Sequence, residues 1–420
     1  MAKIYSFLSI AFFVSLVLAS PVSQRKKRSF KVPTIPNPHY VPHGPRAYKR
    51  ALNKFGFNDI TFKPEGEIAT RLKAASNGSA VVGQGTQDGS TPTAPTQNDA
   101  QFLSPVTIGG QQFIMNFDSG SSDTWVFNTN LPAAAQQGHT LYDPTKSTTF
   151  QNSLAQSDFN ISYGDGSSCS GPVGIDTIDI GGSTVAQQAI GLPDTVSQSF
   201  IIDGQSDGLV GLAFSKLNTI QPQPQKTFFD NILPDLSQPV FTAQLLGGKV
   251  GAYEFGRIDT SAFKGELARI PVDSSNGFWQ VKSDLAAVNG QDIPLQGGAA
   301  IIDTGTSLML VQDAMVTGYY TQVQGAKVNA QAGGVIFPCN ADLPDLDVRV
   351  GDSYVATIPG NSINFAEVGT DTETGESFCF GGIQSNQGIP FAIYGDVFFK
   401  SQFVAFEGGN SPSIGVAPHV

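Results

Sequence analysis

The sequence predicts an all-β, or mainly β, fold with two similar lobes and a few short helices. Gly and Pro account for 46 and 26 of the 420 residues, a composition that favours strands joined by tight turns. Short apolar runs recur from residue 101 to the C-terminus, and turn dipeptides such as Asn289-Gly290 separate them. A carboxylate motif that occurs twice indicates the two lobes.

Individual elements follow from the same patterns. The first hairpin is predicted over residues 105–117, with its turn at Gly109-Gly110. Helical patterns after residue 101 are short, and the best cover residues 227–233 and 312–323. Before residue 101, residues 48–55 predict two turns of helix.

The overall composition excludes several classes of protein. The 24 Lys and Arg against 35 Asp and Glu give a net charge of −11, which argues against a nucleic acid partner because phosphate binding needs a basic face. Three widely spaced Cys exclude a disulfide-dense scaffold and Cys-rich zinc or iron–sulfur sites, and four His leave few other metal ligands. We therefore expect no metal and no other cofactor.

The charge is divided unevenly along the chain. Residues 1–87 contain 13 Lys and Arg but only three acidic residues, whereas residues 88–420 contain 11 Lys and Arg and 32 Asp and Glu. A basic front on an acidic body suggests an electrostatic partnership within one chain. The alternative is a basic tail without a role.

The front of the chain indicates export and processing. Residues 1–19 have the basic start, apolar run and small residues of a secretory signal peptide, and the run is too short and too often interrupted by Ser for a membrane anchor. Residues 20–80 are predicted to be a propeptide, whose end lies between residues 75 and 90. Residues 76–99 form a Gly, Ser, Thr, Gln and Pro-rich linker that a protease can cut. We therefore expect a secreted, extracellular protein that does not span a membrane.

The carboxylate motif occurs at the ends of two apolar strands. Asp118-Ser119-Gly120-Ser121 is followed 185 residues later by Asp303-Thr304-Gly305-Thr306. Each motif also has a companion segment downstream that contains two apolar residues followed by a Gly. The companions are residues 207–214 and 392–399, and each begins 89 residues after the Asp of its motif. The chain therefore contains an internal duplication, and each lobe can supply one carboxylate to a shared cleft. The alternative is a pair of Asx turns that only end strands.

These motifs resemble those of the pepsin-like aspartic endopeptidases, and most closely the secreted fungal penicillopepsin and aspergillopepsin group. The resemblance covers most of the chain and rests on residues 118–125, 162–168, 207–214, 303–307 and 394–406. It implies a bilobal, pepsin-like double-domain β fold with pseudo-two-fold symmetry. The expected N-terminal lobe spans residues 81–270 and the expected C-terminal lobe spans residues 271–420.

The resemblance also implies the roles of individual residues. Asp118 and Asp303 would be the catalytic pair, and Tyr163 would lie on a flap over the cleft, with Trp125 beneath it. The expected flap and substrate-binding residues are Tyr163, Gly164, Asp165, Phe200 and Leu209. The expected supporting residues are Ser119, Gly120, Ser121, Trp125, Thr304, Gly305 and Thr306.

Paired carboxyls explain the expected chemistry without a metal. Two carboxyl groups held close together cannot both ionise cheaply, so they share one proton. The ionised member takes a proton from water, and the protonated member polarises the peptide carbonyl, which predicts activity at acid pH. Which Asp is the base and which the acid stays open, because the two titrations belong to the pair.

Several details depart from the family pattern or leave alternatives open. Ser119 stands where Thr is commonest but keeps the hydroxyl. The resemblance pairs Cys339 with Cys379 in a disulfide, which leaves Cys169 as either a buried, inert thiol or a reactive one beside the flap. Asp165 is either a turn residue or a charge that receives Lys at P1, the substrate position before the scissile bond. Large hydrophobic residues should be preferred around that bond.

The expected partners are protein and peptide substrates and the propeptide itself, as an intramolecular inhibitor of a monomer. Lys49, Lys54 and Lys63 are the candidates to lie across the catalytic pair, and the sequence does not choose among them. A glycosidase with two carboxylates would not explain the duplicated turns. A pepsin-like binding protein that has lost catalysis usually has a damaged motif, which this sequence lacks. Glycosylation sequons begin at Asn77 and Asn160, and neither is claimed as occupied.

Overall fold

The computed structural model describes residues 29–36, 42–55, 102–154, 156–162, 168–202, 204, 206–371 and 374–420. The predicted signal peptide, the predicted linker and the predicted flap residues 163–165 lie outside them. The described residues form 28 strands in five sheets and six short α-helices, which confirms the mainly β fold. None of these helices combines the length and apolar character that crossing a membrane requires.

The elements have the following bounds. The first strands are β1 (Phe30–Pro33), β2 (Ile35–Pro36), β3 (Phe102–Ile108), β4 (Gln111–Asp118), β5 (Thr124–Val126), β6 (Asp158–Ser162), β7 (Ser168–Ile180), β8 (Ser183–Gly191), β9 (Thr195–Val196), β10 (Gly208–Gly211), β11 (Val240–Gln244), β12 (Ala252–Phe255) and β13 (Ala268–Pro271). The remaining strands are β14 (Gln280–Lys282), β15 (Leu285–Val288), β16 (Gln291–Pro294), β17 (Ala299–Ile302), β18 (Met309–Val311), β19 (Lys327–Asn329), β20 (Gly334–Pro338), β21 (Leu346–Val350), β22 (Tyr354–Ile358), β23 (Asn364–Thr370), β24 (Ser377–Gly381), β25 (Ile383–Ser385), β26 (Ala392–Tyr394), β27 (Gln402–Glu407) and β28 (Ser413–Pro418). The α-helices are α1 (Gly44–Lys54), α2 (Gln198–Ile202), α3 (Phe228–Ile232), α4 (Asp313–Tyr320), α5 (Gly360–Ile363) and α6 (Asp396–Phe399), and 3-10 turns occur at Ala133–Ala135, Pro144–Lys146, Ser215–Leu217 and Leu233–Asp235.

The sheets divide between the two halves of the body. Nine strands of the first half, β2 to β10, form one sheet, in which β4, β10, β5 and β8 are successive neighbours. In the second half, one five-stranded sheet runs β14-β17-β26-β18-β25, and two four-stranded sheets contain β15, β16, β21 and β22 and β19, β20, β23 and β24. A six-stranded sheet, in the order β1-β12-β11-β27-β28-β13, joins strands from both halves. At its edge, β1 from the predicted propeptide pairs antiparallel with β12.

The hairpin of β3 and β4 shows how the sequence pattern positions the site. Gly109 and Gly110 form its turn, as the sequence predicted, and both have a positive φ, which Gly adopts without strain. Along β4, the side chains of Phe113, Met115 and Phe117 are buried in the main hydrophobic core. Because side chains of a strand alternate between its faces, Asp118 at the end of β4 lies on the opposite face.

The predicted helices are present with small differences at their ends. Helices α3 and α4 lie within the predicted ranges 227–233 and 312–323. Helix α1 begins at Gly44, four residues before the predicted start, and Pro45 stands in its first turn, where the missing N–H of Pro costs nothing. The predicted helix of two turns was therefore one turn too short.

Candidate active site

The two motif carboxylates lie at the ends of equivalent strands. Asp118 is the last residue of β4, and Asp303 directly follows β17. Each strand has a parallel companion, β10 beside β4 and β26 beside β17, and these companions are the downstream segments of the duplication. The N–H of Leu212 donates to the Asp118 carbonyl (2.7 Å), and the N–H of Asp303 donates to the Tyr394 carbonyl (3.0 Å). Each companion thus fixes the turn that carries the carboxylate.

Each carboxylate accepts hydrogen bonds from its own turn. One oxygen takes the N–H two residues on, and the other takes the hydroxyl three residues on. Both carboxyl side chains are almost fully buried, so these bonds replace the water that burial removes. The donors are Gly120 N (2.8 Å) and Ser121 Oγ (2.6 Å) to Asp118, and Gly305 N (2.9 Å) and Thr306 Oγ1 (2.5 Å) to Asp303.

The two turns are also tied to each other across the pseudo-two-fold axis. The N–H of Ser119 donates to Thr304 Oγ1 (3.0 Å), and the N–H of Thr304 donates to Ser119 Oγ (2.9 Å). The two hydroxyls in turn donate to the carbonyls of Ile302 (2.9 Å) and Phe117 (2.8 Å). Ser119 therefore makes the cross-lobe bonds that the commoner Thr would make.

The Gly of each motif allows this close approach. A Cβ on Gly120 would lie 2.4 Å from Asp303 Oδ1, and a Cβ on Gly305 would lie 2.2 Å from Asp118 Oδ1. Both distances are far below a van der Waals contact. Each turn can thus approach the other carboxylate only with a residue that has no side chain.

The ammonium of Lys54 lies between the two carboxylates. Its Nζ is 2.7 Å from Asp118 Oδ1, 2.9 Å from Asp303 Oδ1 and 2.8 Å from Asp303 Oδ2. The side chain is 6% exposed, so solvent hardly screens these contacts. Of the other two candidates, Lys49 is exposed on α1 and Lys63 lies outside the described residues.

The three charges shift one another's ionisation. Burial alone lowers the pKa of Lys54, but the charges of Asp118 and Asp303 outweigh it, and the net shift is upward. Burial raises the pKa of Asp118, but Lys54 outweighs burial, and the net shift is downward. The pKa of Asp303 is raised, because burial and the neighbouring Asp118 charge outweigh Lys54. The pair thus titrates apart, as two close carboxyls should.

Helix α1 contacts the cleft on both sides of Lys54. On the C-terminal lobe, the hydroxyl of Tyr48 donates to the carbonyl of Ser385 (2.6 Å). The ring of Phe55, just after the helix, lies 5.7 Å from that of Phe278 and 5.8 Å from that of Phe391. Residues 48–55 of the predicted propeptide therefore lie in the cleft around the two carboxylates.

The N-terminal lobe has an aromatic wall at the position predicted for a substrate pocket. Trp125 is buried, pairs with Leu209 between β5 and β10, and lies 5.1 Å from the ring of Phe200. The guanidinium of Arg50, from α1, is 5.5 Å from the centre of the Phe200 ring. The structure thus brings Phe200, Leu209 and Trp125 together. Because residues 163–165 lie outside the described residues, the expected contact between the flap and Trp125 stays a prediction.

The three cysteines have the expected arrangement. Cys339 and Cys379 form a disulfide with an S–S length of 2.00 Å, between the end of β20 and β24. Cys169 is a free, buried thiol on β7. Burial raises its pKa well above the usual value, and the Asp123 charge adds to the shift, so little reactive thiolate forms near neutral pH. This environment fits the inert interpretation.

Sequence reasoning missed two polar residues beside Asp118. Asp123 is buried and accepts hydrogen bonds from Thr219 N (3.1 Å) and Asn218 Nδ2 (3.2 Å). Burial raises its pKa to about 6. Asn116 lies two residues before Asp118, and strand alternation could have placed it on the cleft face. Asp123 lies within the motif at residues 118–125, but the motif did not assign it a role.

Comparison with known proteins settles the family. The family model described as eukaryotic aspartyl protease matches residues 101–419. The chain belongs to this family. It is 50% identical to aspartic protease PEP3 of Coccidioides posadasii, over 96% of this chain and 92% of the relative. It is also 50% identical to a putative aspergillopepsin A-like aspartic endopeptidase of Aspergillus fumigatus, over 99% of both chains.

A third relative, aspergillopepsin-1 of Aspergillus oryzae, is 44% identical over 89% of this chain and 86% of the relative. These matches confirm the resemblance to the pepsin-like endopeptidases of the aspergillopepsin group, which rested on a few short motifs. The protein is thus an aspartic endopeptidase with a pepsin-like β fold.

Proposed function

We propose that this aspartic endopeptidase is secreted as a zymogen and cleaves proteins at acid pH through Asp118 and Asp303. The observation that carries the proposal is that both carboxylates bind the same ammonium, Lys54 Nζ, within 2.9 Å. Lys54 lies ahead of the residues that the family model matches, 101–419. A side chain from outside the protease body thus neutralises the pair and occupies the space between its members.

Hydrolysis follows once Lys54 leaves the cleft. A water molecule that replaces its ammonium lies within hydrogen-bond reach of both carboxylates. The ionised carboxylate takes a proton from this water as it attacks the peptide carbonyl, and the protonated carboxyl donates to the carbonyl oxygen. The turn N–H and hydroxyl donors hold each carboxylate in position while the proton moves. The tetrahedral intermediate then breaks its C–N bond, and the carboxyl that took the water proton gives it to the leaving amine. No covalent bond to the enzyme forms.

Acid releases the propeptide because it removes the partners of its basic residues. The pairing with Lys54 lowers the pKa of Asp118. A carboxylate with a lowered pKa stabilises the closed form above its ordinary pKa, and this stabilisation is lost as the pH falls through the lowered value. Lys31, 3.6 Å from Asp259, adds an exposed pair of little energy. The linker at 76–99 is the proposed cut site.

The substrate preference follows from the wall of the cleft. Trp125, Phe200 and Leu209 form an apolar surface, which supports a preference for large hydrophobic side chains near the scissile bond. Acceptance of Lys at P1, with Asp165 as its partner, remains part of the proposal. Secretion rests on the predicted signal peptide at residues 1–19 and on the similarity to aspergillopepsin-1.

A peptidase assay tests this function. The purified proenzyme is brought to about pH 3.5, below the pKa of a free Asp, and peptide release from a denatured protein is measured. We expect release in acid, none at neutral pH, and full inhibition by a statine-type inhibitor, whose hydroxyl replaces the attacking water. Release that peaks above neutral pH, or that a statine leaves unchanged, would contradict the proposed mechanism.

A further inference from the structure

Strand β6, which directly precedes the predicted flap residues, has one buried face and one exposed face. Phe159 and Ile161 are buried in the same hydrophobic cluster as the aromatic wall of the cleft. Asp158, Asn160 and Ser162 alternate with them and are exposed to solvent. The inner face of the strand therefore packs against the wall, and the outer face projects away from it.

Two residues of this outer face form a glycosylation sequon. Asn160 and Ser162 are the first and third residues of Asn-Ile-Ser, the acceptor sequence for an N-linked glycan in exported proteins. The other sequon of the chain begins at Asn77, ahead of the residues that the family model matches, 101–419. Any N-linked glycan on the protease body must therefore be attached to Asn160.

The surroundings of Asn160 leave room for a glycan, which is bulky and hydrophilic and needs an exposed attachment point. Among the described residues, β6 is the last strand of its sheet and has a strand partner, β7, along one edge only. On β7 the residue opposite Asn160 is Ser170, whose side chain is small. The contact along the other edge is a single bridge between Asp158 and Gln221. A sugar on Asn160 thus extends into solvent without displacing a packed side chain.

We propose that Asn160 carries an N-linked glycan on the outer face of β6. The inference rests on the proposed secretion, because the sugar donor, a lipid pyrophosphate-linked oligosaccharide, is encountered on the export route. The amide nitrogen of Asn160 forms a C–N bond to C1 of the first sugar, the bond from C1 to the pyrophosphate oxygen breaks, and the amide proton leaves with the lipid pyrophosphate. The glycan then covers an edge strand that would otherwise be open to pairing with another chain.

Mass spectrometry of the enzyme secreted by a yeast tests this inference. Peptide N-glycosidase releases the glycan and converts the glycosylated Asn to Asp, which takes up label in heavy-oxygen water. We expect the mature enzyme to lose mass on this treatment and the label to appear at residue 160. An enzyme in the medium whose residue 160 stays an unmodified Asn would overturn the inference and leave the proposed secretion intact. A chain confined to the cytosol, without sugar, would contradict both.

Two substitutions at Ser162 provide a matched control. Ser162→Ala removes the sequon but leaves Asn160 in place, so the glycan should be absent. Ser162→Thr keeps the hydroxyl that the sequon requires, so the glycan should be present, and Asn77→Gln should not change the label at residue 160. Identical glycosylation of the two Ser162 variants would overturn the proposal.

The position of the glycan on the outer face has its own test. Removal of the sugar from the folded parent, with an endoglycosidase at mildly acid pH, should leave kcat/KM on a short peptide unchanged, because the buried residues Phe159 and Ile161 separate the sugar from the cleft. A change in kcat/KM after this treatment would contradict the placement of the glycan outside the cleft.

Discussion

The two lobes present the same strand and turn to the cleft but place different side chains around them. In both lobes an apolar strand ends in Asp, a Gly turn donates to the carboxylate, and a parallel companion strand fixes the turn. Three positions near the motif Asp are buried in both lobes: the one two residues before it and those five and seven residues after it. At these three positions the N-terminal lobe has Asn116, Asp123 and Trp125, whereas the C-terminal lobe has Ile301, Leu308 and Leu310.

This difference shows how two lobes with the same backbone can have different functions. The common backbone and hydrogen bonds hold the two carboxylates in the same way, so the proposed chemistry should need both lobes. At these three positions, the polar residues Asn116 and Asp123 occur only in the N-terminal lobe. Substrate selection and pH-sensitive stability should therefore depend on that lobe. The C-terminal lobe, in turn, contains the disulfide between Cys339 and Cys379.

The largest expected effect tests whether the lobes are equal in catalysis. Asp118→Asn and Asp303→Asn should each lower kcat by about 10²–10⁴-fold, the usual contribution of a general acid or base, because Asn cannot share the proton. Peptide cleavage by propeptide-free protein at acid pH measures this, and the exposed Asp292→Asn is the control. If only one variant lost activity, the two lobes would not act as a pair.

The next effect concerns the stability of the C-terminal lobe. Replacing Cys339 and Cys379 together by Ala should lower the free energy of unfolding by about 4 kcal/mol, because the bond closes a loop of 40 residues. Denaturant unfolding at acid pH, in the inactive Asp303→Asn background, measures the change without autolysis. Cys169→Ala, in the other lobe, is the control and should cost much less. Equal unfolding of the double variant and its parent would contradict the expectation.

A third effect should be confined to the N-terminal lobe. Burial raises the pKa of Asp123 from 3.8 to about 6, so the folded state binds its proton more tightly than the unfolded chain. The stability of the protonated form is complete below the unfolded value and is lost as the pH rises through the folded value. Asp123→Asn mimics the protonated form, and should recover about 3 kcal/mol at neutral pH relative to acid.

Unfolding curves at several pH values, again in the Asp303→Asn background, measure this difference. The variant should unfold with a flatter pH dependence between about pH 4 and 6, the window that the two pKa values define. Asp292→Asn should follow the parent. Parallel curves for parent and Asp123→Asn would place the neutral-pH sensitivity elsewhere in the molecule.

The smallest effect is expected at Cys169. Because its thiol is buried and its pKa is raised, the folded protein should resist a thiol reagent that labels the unfolded chain rapidly. Mass spectrometry after labelling with and without denaturant measures this. Rapid labelling of the folded enzyme with loss of activity would support the reactive interpretation instead.

The sequence predicted those parts of the site that depend on local pattern. Asp118 and Asp303 follow apolar strands and precede Gly turns, and such features survive in any tertiary context. Lys54 was one of three equal candidates, because the choice depends on how α1 docks against the body. Asn116 was on the correct face by alternation, yet only the neighbouring Phe200 and Leu209 turn it into part of a pocket.

Asp123 shows a different limit of the sequence. Burial raises its pKa, and the hydrogen bonds from Thr219, about 95 residues later in the chain, offset only part of that shift. No short-range pattern encodes that contact. The edge strand β1 is similar, since no local pattern in the predicted propeptide indicated its pairing with β12.

The central claim is that Lys54 blocks the carboxylate pair until acid releases the propeptide from the cleft. The most direct measurement is the intact mass of purified proenzyme after one hour at a series of pH values, for the parent, Lys54→Met, Lys49→Met and Asp303→Asn. The parent and Lys49→Met should stay full length at neutral pH and shorten in acid, whereas Asp303→Asn should stay full length throughout. Lys54→Met should shorten at a pH about 1 unit higher than the parent, because the carboxylates lose their cationic partner. Identical pH profiles for Lys54→Met and the parent would contradict the claim.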